Sequence, residues 1–119
     1  MILGLGIDLV QVSRFDHWLS SPGLLERYFY PDEINEIRNK GSEAVLSLAG
    51  RFAAKEAFGK ALGTGLRKLA LRDIQVINAK MGKPDIRLHK TAERLFQENG
   101  GERILLSLSH ERDQAVAIV

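Results

Sequence analysis

The longest element that this sequence predicts is a helix from Ser42 through Leu62, which the glycines of residues 63–65 can end. The patterns after this helix favour strands at residues 73–78, 84–88, 104–109 and 115–119. Since these strands are joined as hairpins and the helices lie mostly in the first half, we predict an α+β fold with an antiparallel sheet packed with helices. Residues 1–119 show no linker or repeat and are predicted to form a single domain.

Shorter elements flank the long helix. The apolar run from Ile2 to Val12 is typical of a buried strand. Ser13 can cap a short helix that Pro22 ends, and Pro31 is suited to open a second helix. Residues 91–98 are predicted to form a further helix.

Asp8 is the unusual residue of the N-terminal strand, because aspartate is a poor strand former and lies here inside an apolar run. Burying an unpaired carboxylate is unfavourable, so a cation, a basic side chain or backbone amides must compensate it. Gly4 and Gly6 lie on the same face of the strand. We expect these glycines to leave open space that suits a cation or a ligand.

Glu56 is a second carboxylate in an apolar setting. At about 100° per residue, it falls on one helix face with Val45, Ala49, Phe52 and Ala53. Lys60 follows one turn later, and an exposed pair of this kind stabilises a helix by only about 0.2 to 0.5 kcal/mol. The spacing alone is equally compatible with this ordinary pair and with a functional carboxylate.

Two carboxylates in a chain without cysteine predict an oxygen-only site, the kind that Mg²⁺ prefers. The absence of cysteine also excludes disulfides, thiolate zinc sites and cysteine nucleophiles. Arg51, Lys55 and Lys60 on the same helix could supply positive charge to a phosphorylated substrate. The combination indicates phosphoryl-group chemistry or pyrophosphate cleavage.

Size and charge restrict the partners. A chain of 119 residues has little room for a deep cleft, so we expect an oligomer with sites between subunits. The net charge is only +2, but a basic cluster suits an anionic ligand or an ordinary solvated surface: Lys60, Arg67, Lys68 and Arg72. A small nucleic-acid-binding module is an alternative, which 7% aromatic residues and the lack of a recognisable motif disfavour.

The sequence gives no sign of a membrane partner. No apolar stretch is long enough to span a bilayer. The first ten residues lack a basic start and contain Asp8, so they are a poor signal peptide. We therefore expect a soluble, cytoplasmic protein.

Three further motifs are weaker. The Gly4-Leu5-Gly6 pair lacks the third glycine of a dinucleotide-binding loop. Ser109 and His110 are neighbours on a predicted strand and should face opposite sides, so they are a poor nucleophile and base. His110 is better suited to donate to a ligand phosphate, or it is a turn residue. Met81 and Gly82 join the strands predicted at 73–78 and 84–88, and Gly82-Lys83-Pro84 predicts a hairpin turn, or a lysine and a fixed backbone presented to a nucleotide.

Three separated segments resemble the bacterial holo-acyl-carrier-protein synthases, the short class of phosphopantetheinyl transferases. They are GLGIDLVQVSRF at 4–15, RFAAKEAFGKALGTG at 51–65, and GKP at 82–84 together with SLSHE at 107–111. Their order and spacing match that family from end to end. The chain departs from it at Ile7, where threonine is usual, and at Gly59, where serine is common.

The resemblance implies a role for each matching residue. Asp8 and Glu56 would bind Mg²⁺, and Lys60 would contact phosphate. Arg14 would belong to a basic surface that docks acyl carrier protein. The remaining matches would contact coenzyme A, some of them from a neighbouring subunit of a homotrimer: Arg51, Gly82, Lys83, Pro84, Ser109 and His110.

The reaction implied is displacement at the beta-phosphate of coenzyme A by a serine hydroxyl of apo acyl carrier protein, in support of fatty acid biosynthesis. Adenosine 3',5'-bisphosphate would be the leaving group. The base stays open between Glu56 and a water molecule at the metal. A non-catalytic trimeric scaffold is a further alternative, but it leaves Asp8 and Glu56 without a purpose.

Overall fold

The structure, a computed structural model, describes residues 1–65, 67–78 and 82–119. Its main elements, in chain order, are β1 (Ile7–Gln11), α1 (Pro22–Tyr28), α2 (Pro31–Arg38), α3 (Ala44–Leu62), β2 (Ile74–Asn78), β3 (Pro84–Leu88), α4 (Lys90–Glu98), β4 (Ser107–His110) and β5 (Gln114–Ile118). The predicted α+β fold is confirmed. Each predicted strand is present, although the first and the fourth are shorter than expected. Met81, which we placed in the turn between β2 and β3, lies outside the described residues.

The described strands form two antiparallel sheets. One has three strands in the order β1-β5-β4, and the other is the β2-β3 hairpin. Helix α3 packs on one face of the three-stranded sheet and also contacts β2. This central helix therefore touches both sheets, and its charged side chains lie close to strands on two sides.

The contact between β1 and α3 explains the two N-terminal glycines. A Cβ atom at Gly6 would lie 1.9 Å from the carbonyl oxygen of Ala57, and one at Gly4 would lie 1.9 Å from that of Ala61. The space beside these glycines is filled by the backbone of α3, so our expectation that they leave room for a cation was wrong. Their absent side chains instead let strand and helix backbones touch.

The segment between β1 and α2 differs from the prediction. Ser13 caps no helix, because residues 12–15 and 18–20 form two short 3-10 turns without a side-chain cap. Pro22 begins helix α1 instead of ending a helix. Proline suits this first position since its missing N–H would have no partner there and its φ angle is already helical.

The two longer helix predictions are confirmed to within about two residues. Helix α2 begins at Pro31, and the backbone amide of Tyr30 donates to Glu33 at 2.9 Å. Helix α3 begins at Ala44 and ends at Leu62, after which Gly63 takes a φ of +80° that favours glycine. An aromatic cluster of Phe15, Trp18 and Phe52, with centroids 5.0–5.6 Å apart, fixes the first turns against α3.

The outer face of the three-stranded sheet, turned away from α3, carries exposed apolar side chains. Six of them, in and beside the sheet, are between 44% and 71% exposed: Leu3, Leu5, Ile7, Leu9, Leu105 and Ile118. So many large apolar side chains on one part of a small domain are typical of a protein interface. Among the described helices, none combines the length and apolarity needed to cross a bilayer.

Candidate active site

Asp8 meets Lys60 at the junction of β1 and α3. The Lys60 ammonium donates to the Asp8 carboxylate at 3.0 Å and to the carbonyl oxygen of Ile7 at 3.0 Å. The Asp8 side chain is only 15% exposed, whereas that of Lys60 is 53% exposed. Asp8 is opposite Ala117 in the sheet, on the face that α3 covers, which is why its carboxylate reaches the helix.

Glu56 lies one helical turn before Lys60 and is half-buried beside Asp8. Burial raises the pKa of the Glu56 carboxyl, and the neighbouring charge of Asp8 raises it further. Arg14 and Lys60 act in the opposite direction on this pKa. The predicted pairing of Asp8 with Glu56 is therefore present as an acidic site, although both side chains are less buried than the apolar patterns suggested.

The acidic site, defined as Asp8, Glu56 and Lys60, suits a hard divalent cation. Carboxylate oxygens are the donors that Mg²⁺ prefers, and a cation between the two carboxylates would offset the mutual repulsion that raises the Glu56 pKa. Within the described ranges, no group of three or more His, Cys, Asp or Glu side chains could hold a metal. Two protein ligands completed by water and phosphate are the usual arrangement for Mg²⁺.

Arg14 lies closer to this site than a purely peripheral docking residue would. Its guanidinium carbon is 5.1 Å from the centroid of the Phe52 ring and 5.3 Å from that of Phe15. This cation–π geometry holds a side chain that is otherwise exposed. Arg14 therefore extends the positive charge of Lys60 to the rim of the acidic site.

A second cluster of charges surrounds Arg51, five residues before Glu56 on α3. Its Nη2 donates to Glu36 at 2.7 Å, its Nη1 to the carbonyl oxygen of Val76 at 2.6 Å, and its Nε to Ser47 at 3.3 Å. The side chain of Arg51 is 4% exposed. These contacts fix the guanidinium between α2 and β2.

The prediction for Lys55, in the same cluster, was wrong. We expected it to face a phosphorylated substrate, but it is fully buried and donates to Glu33 at 2.6 Å and to the carbonyl oxygens of Leu71 and Ile74. Burial lowers the pKa of Lys55 to about 8, while Glu33 acts in the opposite direction. Its partners are all protein groups, so Lys55 is structural.

Glu33 was missed by the sequence analysis. It is fully buried and accepts from Lys55, from the amide of Tyr30 and from the amide of Val76. Its only signal in the sequence is its place three residues after Tyr30, where an acidic side chain commonly caps a helix start. That pattern predicts a local cap and gives no indication of a partner 22 residues away.

Arg51 lines a cleft of about 180 Å³. Ser109 and His110 line the same cleft, together with Lys40 and Glu43. The sheet register places Ser109 opposite Val116 and His110 opposite Ala115, so the two side chains face opposite sides as predicted. One chain thus brings three of the predicted coenzyme A contacts to a single cleft.

The remaining predicted contacts lie at the start of β3. Gly82 has a φ of +77°, which favours glycine, Lys83 is exposed, and Pro84 is opposite Asn78 in the hairpin. Asn78 lines the cleft, so the hairpin end is its neighbour. Whether these three residues contact a ligand stays a prediction.

The acidic site and the cleft lie on different sides of α3. At 3.6 residues per turn, Arg51 and Glu56 point about 140° apart around the helix axis. Glu56 and Lys60, by contrast, share one face, as do Arg51 and Lys55. A compact ligand would therefore have difficulty in reaching both sites of one chain.

Comparisons with known protein families, sequences and structures all identify the same family. The profile of the 4'-phosphopantetheinyl transferase superfamily matches residues 4–119. A holo-[acyl-carrier-protein] synthase from Treponema denticola is 54% identical over 119 residues, which are 100% of this chain and 97% of that protein. The crystal structure of a holo-[acyl-carrier-protein] synthase from Neisseria meningitidis is similar with a TM-score of 0.90 and 36% identity, covering 99% of this chain and 96% of the other.

A holo-(acyl-carrier-protein) synthase from Bacillus anthracis, solved in complex with CoA (3',5'-ADP), is also similar. Its TM-score is 0.80 at 37% identity, and the match covers 99% of this chain and 94% of that one. The profile match covers nearly the whole chain, and the full-length relative shares more than half of its residues. The chain therefore belongs to the 4'-phosphopantetheinyl transferase superfamily.

Proposed function

We propose that this protein transfers 4'-phosphopantetheine from coenzyme A to a serine of apo acyl carrier protein and releases adenosine 3',5'-bisphosphate. The observation that carries the proposal is the acidic site, where Asp8 and Glu56 lie beside Lys60 at the contact of β1 with α3. The names and coverage of the relatives support the same reaction. The proposed product, holo acyl carrier protein, would serve fatty acid biosynthesis, and we propose that the enzyme acts in the cytoplasm.

Asp8 and Glu56 are the residues that would hold Mg²⁺. When bound, this ion supplies positive charge to the oxygens of the coenzyme A diphosphate. Lys60 is more than half exposed and can donate to the same phosphate group from the neighbouring turn. Glu56 is a candidate proton acceptor for the serine hydroxyl, and a water molecule is the alternative.

The cleft beside Arg51 is proposed to bind coenzyme A. Lys40, Arg51 and His110 give it donors for phosphate oxygens, and Ser109 adds a hydroxyl. Gly82, Lys83 and Pro84 are proposed to contribute from the adjoining hairpin. The complex of the Bacillus anthracis relative with CoA supports a coenzyme A site in this fold.

A homotrimer is proposed to join the two half-sites. The exposed apolar face of the sheet gives the surface for association. Because Arg51 and Glu56 point about 140° apart in one chain, the cleft of one subunit can complete the acidic site of the next. Sedimentation should give a trimer, and mixing inactive Asp8→Asn and His110→Ala chains should restore part of the activity. A fully active monomer would contradict this arrangement.

The transfer itself is tested by mass. The protein is incubated with coenzyme A, Mg²⁺ and apo carrier protein, and the carrier is then weighed by mass spectrometry. We expect the mass of one phosphopantetheine group to be added, and we expect none when a chelator removes the metal. A carrier of unchanged mass with metal present would refute the proposed reaction.

A further inference from the structure

The guanidinium of Arg51 is held by three kinds of partner, and they differ in exposure. The carbonyl oxygen of Val76 lies in the interior, and the Ser47 hydroxyl lies on the same helix. Glu36 is different because its side chain is 42% exposed, although its carboxylate lies 2.7 Å from Nη2 of Arg51. The place beside Nη2 is thus the solvent-facing side of a guanidinium that is otherwise buried.

The interior contacts fix the position of the guanidinium whether or not Glu36 is present. Glu33 accepts from the amide of Val76 and from Lys55, and it lies 3.7 Å from Nη1 of Arg51. In the described part of the chain, no buried side-chain polar atom lacks a hydrogen-bond partner. Removing Glu36 would therefore expose one donor edge of Arg51 without releasing the side chain.

The surroundings of Arg51 favour an anion beside its guanidinium. Arg51 lines a cleft that also carries Lys40 and His110, and Glu43 is the acidic residue of the lining. Glu36 does not line this cleft and contacts Arg51 from α2. A phosphate group carries more negative charge than one carboxylate, and its oxygens match the donor edge of a guanidinium. A phosphate group that enters the cleft can therefore compete with the half-exposed carboxylate of Glu36 for the guanidinium of Arg51.

We propose that Glu36 is a built-in competitor for the anion site, a carboxylate that occupies Arg51 until a phosphate group of coenzyme A displaces it. The inference rests on the proposed coenzyme A site and adds to it a residue that lowers affinity. Each binding event must first break the Glu36–Arg51 ion pair. The apparent affinity is therefore the intrinsic affinity multiplied by the fraction of chains in which the pair is open. Product release is helped in turn, because the same carboxylate returns to Nη2.

The test is isothermal titration of coenzyme A into the wild-type protein, Glu36→Gln and Glu43→Gln, without carrier protein and at one Mg²⁺ concentration. Both variants remove one negative charge near the cleft, but only Glu36 is paired with Arg51. We expect Glu36→Gln to bind about fivefold more tightly, as for a weak, partly exposed pair. Glu43→Gln should change affinity by about twofold or less because its effect is screened by salt.

Dephospho-coenzyme A, which lacks the 3'-phosphate, shows which phosphate group of coenzyme A competes with Glu36 for Arg51. If the gain of Glu36→Gln is lost with this ligand, the competing group is the 3'-phosphate. If the gain is kept, the competing group is the diphosphate. Glu36→Ala repeats the measurement without an amide that could still accept from Arg51, and thermal melts confirm folding.

Two results would overturn the inference while leaving the proposed function intact. One is unchanged or weaker binding of coenzyme A by both Glu36 variants. The other is an equal gain in Glu43→Gln, which would assign the effect to the general charge of the cleft. Failure of the wild-type protein to bind coenzyme A would instead refute the proposed function.

Discussion

Helix α3 carries two charged clusters that differ in how their charges are compensated. Around Lys55, the carboxylate of Glu33 and two carbonyl oxygens accept from the ammonium group, and Glu33 and Lys55 are fully buried. In the acidic site, one half-exposed lysine pairs with Asp8, and the pKa of Glu56 is raised. The buried pair of Lys55 and Glu33 needs no further partner, whereas the acidic site is left with excess negative charge.

This difference separates structural from functional charges more reliably than their position in the sequence does. Lys55 and Glu56 are adjacent, yet one is held by α2 and β2 and the other lies beside β1. A residual charge that the fold leaves without a partner is where an ion or substrate gains most in binding. We therefore expect substitutions in the two clusters to affect different measurable quantities.

The largest expected effect is on transfer, in the acidic site. Asp8→Asn and Glu56→Gln should each lower kcat by about a thousandfold or more, because amides bind Mg²⁺ poorly at nearly the same shape. Mass spectrometry of carrier protein at saturating Mg²⁺ measures this loss. Glu102→Gln, at an exposed carboxylate, is the control and should be as active as the wild type. Rapid transfer by either site variant would disprove the two-ligand site.

The next effect is on stability, in the buried cluster. Lys55→Met should lower the free energy of unfolding by about 3 to 5 kcal/mol, since it removes the 2.6 Å ion pair of the buried Glu33 carboxylate and leaves only the longer contact with Arg51 at 3.7 Å. Lys60→Met is the matched variant five residues later and should cost less than about 1 kcal/mol because the side chain of Lys60 is 53% exposed. Urea unfolding of both variants measures the contrast. Equal losses would mean that burial does not distinguish the clusters.

A smaller effect concerns Arg14, at the rim of the acidic site. Arg14→Glu should raise KM for carrier protein about tenfold and leave KM for coenzyme A nearly unchanged, because acyl carrier proteins are acidic as a class. Added salt should reduce the difference from the wild type. Arg14→Lys keeps the charge and should retain most of the affinity. Steady-state kinetics that show equal changes for both substrates would place the docking surface elsewhere.

The smallest effect is a gain in stability from Glu56→Gln. Since the folded protein raises the pKa of Glu56, ionisation of this carboxyl costs stability as the pH rises through that pKa. The variant should therefore melt at a slightly higher temperature than the wild type at pH 7, and the difference should vanish below the ordinary pKa of glutamate. Mg²⁺ should raise the melting temperature of the wild type but not of the variant. A lower melting temperature for the variant at pH 7 would contradict this sign.

The sequence was informative where local patterns decide the structure. Pro31, Gly63 and the alternating strands place most elements to within about two residues, since caps and periodicity act over a few positions. The apolar surroundings of Asp8 and Glu56 also predicted that two carboxylates from distant segments lie together. Their meeting with Lys60 follows from the helical spacing of four.

The errors arose where tertiary contacts decide. Lys55 and Lys60 look alike in the sequence, but only packing of α2 and β2 against α3 shows that the first is enclosed. Pro22 is compatible with both the end and the start of a helix, and its neighbours settle the choice. Gly6 was interpreted as open space because the sequence does not show which backbone lies opposite it.

The close approach of Gly4 and Gly6 to helix α3 has a consequence for how the protein tolerates change. The width of the acidic site is set by two main chains in direct contact, and not by the sizes of intervening side chains. Core residues elsewhere can then exchange volume without altering the gap between the carboxylates. An alanine at Gly6, by contrast, would push β1 away from α3, because its methyl group would collide with the carbonyl oxygen of Ala57. The gap between the carboxylates would widen although no acidic or basic side chain is removed.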